Sequence, residues 1–285
     1  MSEKITLVEC PRDAMQGLHD FIPTTQKIEY LNLLLKVGFD VLDFGSFVSP
    51  KAIPQMQDTA EVLANLDLSA TKSKLLAIIA NERGAEDACK HKEISYLGFP
   101  FSVSEQFQLR NTNATREQSM DRVRGILDLC AKHDKKSVVY LSMAFGNPYE
   151  EVWNTDIVVE WAMKLKEAGV GLMAVSDTIG TSNKESITAV LSALQNNLPD
   201  VEFGVHLHSH PLHWQEKIDA AYLSGVRRFE GAIKGFGGCP MAKDDLVGNM
   251  ATENIVLYLE NKGLDLGINS SLFLQAQSMA MKIMS

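Results

Sequence analysis

Short apolar runs rich in β-branched residues recur along the chain, and each is followed by a longer stretch with apolar residues at helical spacing. The short runs are typical of buried strands, and the longer stretches are typical of amphipathic helices. The predicted strands are residues 5–11, 41–47, 75–80, 94–99, 138–145, 172–177, 203–208 and 228–234.

The predicted helices lie between these strands. The clearest, residues 26–37, places its apolar side chains on one face and ends before a glycine. A second, residues 156–168, also ends before a glycine, and either Asn154 or Thr155 is suited to cap its start. The final segment, residues 270–284, predicts an additional amphipathic helix.

Eight strand signals that alternate with helix signals indicate an α/β fold, a (β/α)8 TIM barrel with an additional C-terminal helix. A doubly wound open sheet is the alternative, but it more often has fewer strands, and no glycine-rich nucleotide loop follows the first strand here. The chain has no Pro/Gly/Ser-rich linker, charge block or low-complexity run. We therefore expect one catalytic domain over residues 1–285.

Composition narrows the classes of partner. The 285 residues are 45% hydrophobic and 22% charged, as in an ordinary globular domain, and the formal net charge is −9. This charge argues against nucleic acid or an anionic membrane as the main partner, although an anionic small molecule is compatible with a local cluster of Arg and Lys. No apolar run approaches the roughly 20 residues that cross a bilayer, and residues 1–5 lack the pattern of a signal peptide. A soluble, cytoplasmic protein is expected.

The four cysteines, Cys10, Cys89, Cys130 and Cys239, are too few and too scattered to predict a disulfide scaffold. In a reducing compartment they are thiols. Cys89 and Cys130 fall in helical patterns and are interpreted as small buried hydrophobes.

Polar residues concentrate where the predicted strands end, which in a TIM barrel is the catalytic face. We therefore expect a substrate to meet several of them. The residues concerned are Arg12, Asp13, Gln16, Asp43, Ser46, Asp177, Thr178, His206, His208, Cys239, Asn249 and Glu253.

The pair His206 and His208 is the most informative local feature. Residues two apart on a strand point to the same side, so both imidazoles can face the mouth of the barrel. Neutral imidazoles bind metals, and a carboxylate from another strand completes a mixed nitrogen and oxygen site. Asp13 is the best placed carboxylate, and the carbonyl of Asn249 is a candidate fourth ligand. Taken alone, a His-x-His pair is more often solvated or hydrogen-bonded, and it is the accumulation of polar strand ends that favours a metal.

Several segments resemble the hydroxymethylglutaryl-CoA lyase family, which belongs to a wider group of metal-dependent barrel lyases and synthases. The resemblance runs in the same order from about residue 8 to about residue 269. Its segments are Pro11-Arg12-Asp13, Ser46-Phe47-Val48-Ser49-Pro50-Lys51, Pro54-Gln55-Met56, Asp177-Thr178-Ile179-Gly180, His206-x-His208, Gly237-Gly238-Cys239-Pro240 and Gly248-Asn249-x-Ala251-Thr252-Glu253.

The resemblance implies roles for individual residues. Arg12 matches the arginine that holds the thioester carbonyl and the enolate formed from it, Cys239 matches a mobile-loop cysteine that handles a proton, and Glu253 matches a carboxylate tied to that machinery. The matched metal ligands are Asp13, His206, His208 and Asn249. For Arg12 the alternative is a simple salt bridge with its neighbour, and for Cys239 it is a loop cysteine without a role.

The implied reaction is a retro-Claisen cleavage of 3-hydroxy-3-methylglutaryl-CoA, or a close analogue, to acetyl-CoA and acetoacetate. Asp13, directly or through a water, takes the hydroxyl proton, Arg12 stabilises the enolate, and Cys239 protonates or shields it. The residues expected to contact the acyl-CoA are Arg12, Gln16, Ser46, Asp177 and Thr178. The resemblance favours Mg2+ or Mn2+ as the cofactor, whereas two imidazoles also suit Zn2+.

The sequence departs from the family pattern at several positions. Asp43 stands where the family has glutamate, and because aspartate is one methylene shorter, a shorter reach towards metal-bound water is expected. His19 aligns with a lysine implicated in contacts to CoA, and Ser209-His210 follows the histidine pair where the family has an acid and then threonine or a similar residue. The remaining departures are Cys10 and Ala14, which replace glycines. His210 and His213 are candidate extra ligands, although loop histidines are more often solvated.

Three other functions stay open. One is a condensing synthase of the isopropylmalate or homocitrate type, whose members carry a long regulatory region and lack the Gly-Gly-Cys-Pro loop. Another is an aldolase acting on a 4-hydroxy-2-oxo acid. The third, from a different class, is a barrel that binds acyl-CoA without turning it over. The sequence does not indicate the oligomeric state, and a homodimer is only the common default.

Overall fold

Eight parallel strands close into a barrel in the order β1-β2-β3-β4-β5-β6-β7-β9. The computed structural model describes residues 4–238 and 247–284. A separate two-stranded antiparallel sheet pairs β8 with β10. The strands are β1 Thr6–Glu9, β2 Val41–Ser46, β3 Lys74–Ile78, β4 Ile94–Ser102, β5 Lys136–Ser142, β6 Leu172–Ser176, β7 Glu202–His206, β8 His208–Ser209, β9 Arg228–Gly231 and β10 Gly248–Asn249.

Helices connect the strands and surround the barrel. Two short 3-10 helices, Pro54–Met56 and Ile233–Gly235, lie in the connections. The α-helices are α1 Pro11–Gln16, α2 Thr24–Val37, α3 Thr59–Ala64, α4 Glu82–Cys89, α5 Glu105–Thr112, α6 Arg116–Lys132, α7 Thr155–Glu167, α8 Lys184–Asn197, α9 Trp214–Leu223, α10 Thr252–Asn261 and α11 Ser270–Ile283.

The predicted fold class is confirmed. Each predicted strand overlaps one barrel strand, and the predicted helices at residues 26–37, 156–168 and 270–284 correspond to α2, α7 and α11. Asn154 caps α7, because its side chain accepts a hydrogen bond from the backbone N–H of Ile157. The main difference is at the end of β1, where the predicted strand ran to residue 11, but Pro11 instead occupies the first turn of the short helix α1.

The two faces of the barrel wall bury different side chains. Strand β2 shows the alternation: Leu42 and Phe44 belong to the large apolar cluster shared with the surrounding helices, whereas Val41 belongs to a smaller cluster. The smaller cluster also takes Val8 of β1, Cys10 just after that strand, and alternate residues of β3, β5 and β6, namely Leu76, Ile78, Val138, Tyr140, Leu172 and Ala174. Since successive strand residues point to opposite faces, the large cluster fills the layer between strands and helices and the small one fills the barrel.

The described residues include no helix that combines the length and the apolar character needed to cross a membrane. Cys89 and Cys130 are buried and free, as the sequence predicts, and Cys10 is buried as well.

Candidate metal centre at the mouth of the barrel

Helix α1 brings three of the predicted polar residues together. It begins directly after β1, so Arg12, Asp13 and Gln16 emerge at the C-terminal end of that strand. Arg12 Nη1 donates a hydrogen bond to Asp13 Oδ1 at 2.8 Å, and Gln16 Nε2 donates to the same oxygen at 2.9 Å. The Asp13 carboxylate is therefore held from two sides by groups on its own helix.

His206 and His208 come from the neighbouring part of the barrel, since only β9 separates β7 from β1. His206 ends β7, and His208 begins β8, where it faces Asn249 of β10 across the small sheet. One donor atom from each of Asp13, His206 and His208 can be chosen so that all three lie within 4.8 Å of one another. The structure therefore brings together the three residues that sequence reasoning grouped from two distant segments.

Asn249 joins this group through its amide. Its Nδ2 donates hydrogen bonds to Asp13 Oδ2 at 2.6 Å and to the carbonyl of Phe236 at 2.9 Å. Among the described residues, neither Asn249 Oδ1 nor His208 Nδ1 has a hydrogen-bond partner, and both atoms are buried. Buried polar atoms are nearly always satisfied. A divalent cation bound by this set of imidazole, carboxylate and amide donors accounts for such atoms, so the residues fit a metal site.

The local charges favour the metal-binding protonation states. Burial opposes ionisation of Asp13, but the charge of Arg12, with that of His206, outweighs it and lowers the pKa of Asp13 to about 2. Burial, reinforced by the nearby His206, lowers the pKa of His208 to about 4. At neutral pH Asp13 is therefore a carboxylate and His208 a neutral imidazole, which are the forms that ligate metals.

Sequence reasoning missed Glu230, a fully buried residue of β9 whose Oε2 lies 3.3 Å from His206 Nδ1. Burial works against a charged His206, but this hydrogen bond and the Asp13 carboxylate raise the pKa of the imidazole. A carboxylate behind a ligand histidine orients the ring. The signal was present: Arg228 and Glu230 are charged residues two apart on a predicted strand, and in a barrel both therefore face the same side.

Asp43 contacts the arginine rather than the metal group. Its Oδ2 accepts hydrogen bonds from Arg12 Nε at 3.0 Å and from Arg12 Nη2 at 2.5 Å, and the Asp43 carboxylate is fully buried. Burial disfavours the charged guanidinium, but Asp43 and Asp13 outweigh it and raise the pKa of Arg12 further above its ordinary value. Arg12 is thus ion-paired and also lines the cavity at the barrel mouth, so the salt bridge is compatible with a role in the site.

A cavity of about 230 Å³ opens above the metal group. Its lining includes the polar residues Arg12, Gln16 and Thr178 and the apolar residues Ile78 and Phe107. The α5 residues Phe107 and Asn111 were not predicted at the site, because a residue within an ordinary amphipathic helix carries no local signal that it closes a barrel mouth.

Two residues that the sequence placed at the substrate lie outside the wall of this cavity. Ser46 is buried, donates to the carbonyl of Ile78 at 3.3 Å and accepts from the N–H of Val48 at 3.2 Å. Asp177 is buried behind Thr178, where it accepts a hydrogen bond from Lys217 Nζ at 2.8 Å. Both side chains hold the backbone near the cavity, because their polar atoms are already engaged by protein groups.

The loop after β9 lies tightly against α1. Gly237 has φ +80°, and a Cβ there would lie 2.6 Å from the carbonyl oxygen of Asp13, so this approach requires glycine. Gly238 lines the cavity. Glu253 supports the start of the loop: it accepts a hydrogen bond from the N–H of Lys234 at 3.0 Å and pairs with its ammonium at 3.2 Å.

Cys239, which follows Gly238 in the sequence, lies outside the described residues.

Among the remaining departures from the family pattern, His19, Ser209 and His210 contribute no side chain to the donor group of Asp13, His206 and His208. His19 is exposed, with Nδ1 3.1 Å from Asp20 Oδ1. Ser209 is buried in β8 and donates to the carbonyl of His210 at 2.9 Å. The rings of His210 and His213 are 5.7 Å apart, and neither belongs to the described groups of side chains that could hold a metal.

Comparisons with known proteins all point to the same family. A family model described as HMGL-like matches residues 5–280. The chain is 32% identical over 279 residues to the mitochondrial hydroxymethylglutaryl-CoA lyase of Mus musculus, covering 97% of this chain and 84% of that protein. It is 30% identical over 279 residues to the hydroxymethylglutaryl-CoA lyase of Bacillus subtilis, covering 96% of this chain and 91% of that protein.

Solved structures agree with these relatives. The HMG-CoA lyase of Bacillus subtilis superposes with a TM-score of 0.92 at 30% identity, covering 99% of this chain and 94% of that chain. An HMG-CoA lyase from Acinetobacter baumannii, solved in complex with coenzyme A and 3-methylmalate, has a TM-score of 0.90 at 27% identity, covering 99% and 91% of the two chains.

Proposed function

The chain belongs to the HMGL-like family, and from this premise we propose that it cleaves 3-hydroxy-3-methylglutaryl-CoA, or a close acyl-CoA analogue, to acetyl-CoA and acetoacetate. The observation that carries the proposal is the convergence of Asp13, His206 and His208 beside a cavity that Arg12 also lines. The carbon–carbon lyases named above, similar over nearly the whole chain, support the same reaction.

Asp13, His206, His208 and Asn249 are the proposed ligands of a divalent cation. Carboxylate and amide oxygens suit Mg2+ or Mn2+, and the two imidazoles also suit Zn2+. When bound, the cation supplies Lewis acidity that lowers the pKa of a hydroxyl group and fixes the orientation of the substrate. Glu230 contributes from behind by keeping the His206 ring in place through Nδ1.

Protein side chains are proposed to accept the proton that the substrate loses and to stabilise the negative charge that forms during the cleavage. Asp13, ionised at neutral pH, is the proposed base that takes the tertiary hydroxyl proton, directly or through a water. As the carbon–carbon bond breaks, its electron pair becomes the enolate of acetyl-CoA, and the ketone carbonyl of acetoacetate forms. Arg12 stays charged because Asp43 and Asp13 flank it, so it can stabilise the enolate oxygen.

Cys239 is the proposed acid that protonates or shields the enolate, on the strength of the family resemblance and of its position after Gly238, which lines the cavity. Glu253 is proposed to support this loop from its base. Gln16 and Thr178 are proposed to contact the acyl-CoA directly, whereas Ser46 and Asp177 would act on it only through the backbone that they hold.

The proposed partners follow from the reaction and the charge. The substrate is an acyl-CoA, and no role for nucleic acid or membrane is proposed for a chain of net charge −9. We propose that residues 1–285 act as one catalytic domain, that the chain forms a homodimer, and that it works in the cytoplasm in leucine degradation and ketone body formation. The 31% identical cytoplasmic 3-hydroxy-3-methylglutaryl-CoA lyase of Rattus norvegicus supports this compartment.

The test is incubation of the purified protein with 3-hydroxy-3-methylglutaryl-CoA and Mn2+ or Mg2+, with acetoacetate measured with and without chelator. We expect metal-dependent formation of acetoacetate, and a loss of at least about 1000-fold in His206→Ala because one of the few metal ligands is removed. His210→Ala is the matched control and should keep its activity.

Two outcomes would count against the proposal. A protein that binds the metal but forms no acetoacetate would reject this substrate and leave a related aldolase or synthase reaction to be assayed. A protein that binds no metal, whether or not it binds the acyl-CoA, would reject metal-assisted cleavage altogether and favour the non-catalytic barrel.

A further inference from the structure

Lys217 is a buried lysine that the reaction does not use directly. It lies on α9, and only 3% of its surface is exposed. Lysine is almost never fully buried unless it is paired, because an ammonium loses its hydration there. The question is therefore which groups the buried ammonium of Lys217 binds.

The ammonium uses all three of its hydrogen-bond donors. Lys217 Nζ donates to Asp177 Oδ2 at 2.8 Å, to the carbonyl of His208 at 2.7 Å and to the carbonyl of Gly180 at 3.1 Å. Asp177 also accepts a hydrogen bond from Ser182 Oγ at 2.5 Å. The ammonium thus joins two backbone segments, the β8 strand at His208 and the loop of residues 177–180, to each other.

Each of these two segments also contributes a residue to the candidate metal centre or to the cavity beside it. The imidazole of His208 belongs to the candidate metal group, and Thr178 lines the cavity. The link extends to a second proposed ligand, because His208 is paired with Asn249 in the β8–β10 sheet. Fixing the carbonyl of His208 therefore fixes the sheet that presents both His208 and Asn249.

We propose that Lys217 is a positioning residue for the metal centre, holding the His208 backbone against the 177–180 loop so that His208 and Asn249 are set for the cation. The inference rests on the proposed function, since it requires that the group binds a divalent cation. Lys217 acts through the carbonyl and the ion pair and does not itself contact the substrate or the reacting atoms. The alternative is that the pair with Asp177 only stabilises the fold.

The chain offers a matched control for that alternative. Lys27 on α2 is equally buried, at 2% exposure, and its Nζ donates to Asp58 Oδ1 at 2.8 Å and to the carbonyl of Gln55. It is a helix lysine with the same kind of partners, but it contacts neither β8 nor the 177–180 loop. Replacing either lysine removes a similar buried pair, and only Lys217 is joined to a proposed ligand.

The experiment measures the Mn2+ dissociation constant by titration, with free Mn2+ followed by electron paramagnetic resonance, in wild type, Lys217→Met and Lys27→Met. We expect Lys217→Met to weaken Mn2+ binding by about 10- to 100-fold, as loss of groups that support metal ligands commonly does. Lys27→Met should keep the wild-type constant within about twofold while its melting temperature falls. Saturating Mn2+ should restore part of the kcat of Lys217→Met, which a purely structural role would not produce.

A second variant keeps the proposal testable if the Lys217→Met protein does not fold. The double substitution Lys217→Met with Asp177→Asn removes both charges and leaves no unpaired ion behind, and it should show the same weakening of Mn2+ binding. If wild type binds Mn2+ and both folded Lys217 variants bind it equally well, the positioning role is overturned while the proposed function stands. If wild type binds no Mn2+, the metal centre of the proposed function fails and this inference fails with it.

Discussion

The two sides of the barrel wall bury charge in different ways. Towards the helices, Glu9 is fully buried and accepts hydrogen bonds from the N–H of Ile233 at 2.9 Å and from Thr252 Oγ1 at 2.5 Å. Among the described residues the Glu9 carboxylate forms no ion pair, and burial raises the pKa of Glu9 to about 8. Inside the barrel, by contrast, acids lie against cations: Asp43 meets Arg12 and Glu230 meets both His206 and Arg228.

This difference shows how one wall can serve stability on one side and chemistry on the other. A lone buried acid escapes the cost of desolvation by keeping its proton, and it then behaves as a neutral hydrogen-bonding group. Buried acids and bases that neutralise each other can stay ionised. The inner side thus keeps a charged Arg12 and an ionised Asp13 at the mouth of the barrel, where the proposed reaction needs them.

The largest effect is expected from Arg12→Met, which removes the guanidinium that lines the cavity. The enolate loses its stabilising partner, so kcat should fall by about 1000-fold, whereas Mn2+ binding should persist because all four proposed ligands remain. Steady-state kinetics and Mn2+ titration measure the two quantities. Since the substitution leaves Asp43 buried without its partner, Arg12→Met with Asp43→Asn is the companion variant. Parallel losses of kcat and of Mn2+ affinity would contradict the separation of roles.

An intermediate effect is expected from Leu34→Ala on the outer side. Leu34 of α2 is fully buried in the apolar layer, so its truncation should lower the free energy of unfolding by about 3 kcal/mol, roughly a hundredfold in the unfolding equilibrium. Denaturant unfolding provides the measurement, and Mn2+ affinity at 25 °C should not change. Leu212, which is 81% exposed, supplies the control, since Leu212→Ala should leave stability within about 0.5 kcal/mol. A changed Mn2+ affinity in Leu34→Ala would show that packing between the strands and the helices also affects the proposed metal centre.

The smallest effect is expected from Glu9→Gln and concerns pH. Glu9 keeps its proton in the folded state up to about pH 8, whereas the unfolded chain releases it near the ordinary value of 4.5. The folded state therefore binds more protons between these values, and the free energy of unfolding falls as the pH rises through that range. Over about pH 6 to about pH 8 the wild type should lose about 2 kcal/mol more than Glu9→Gln, whose amide imitates the protonated acid. Equal pH profiles of the two proteins would show that Glu9 is ionised throughout.

Most of the fold could be predicted from the sequence because residues buried between the strands and the helices recur at regular spacing along the chain. Residues 26–37 carry the 3.6-residue period of α2, and β6 is apolar up to its last residue because both of its faces are buried. The boundary at Pro11 was misplaced, since a strand that ends in a helical turn at the catalytic face has no periodic signal in so few residues. Site residues at or just after the strand ends, such as Arg12, Asp13 and His206, were found together with the strands, whereas residues within the longer helices, such as Lys217 and Phe107, were not.

What the sequence determined by itself is the order of the elements, the closed parallel barrel and the residue types at its catalytic end, because periodicity and the spacing of His206 and His208 are local properties. What only the tertiary structure decided is which side chains meet. Asp43 pairs with Arg12, Glu230 supports His206, and Asp177 pairs with Lys217. Each of these contacts joins residues 24 to 40 positions apart, and distances of that kind are set only when the barrel closes.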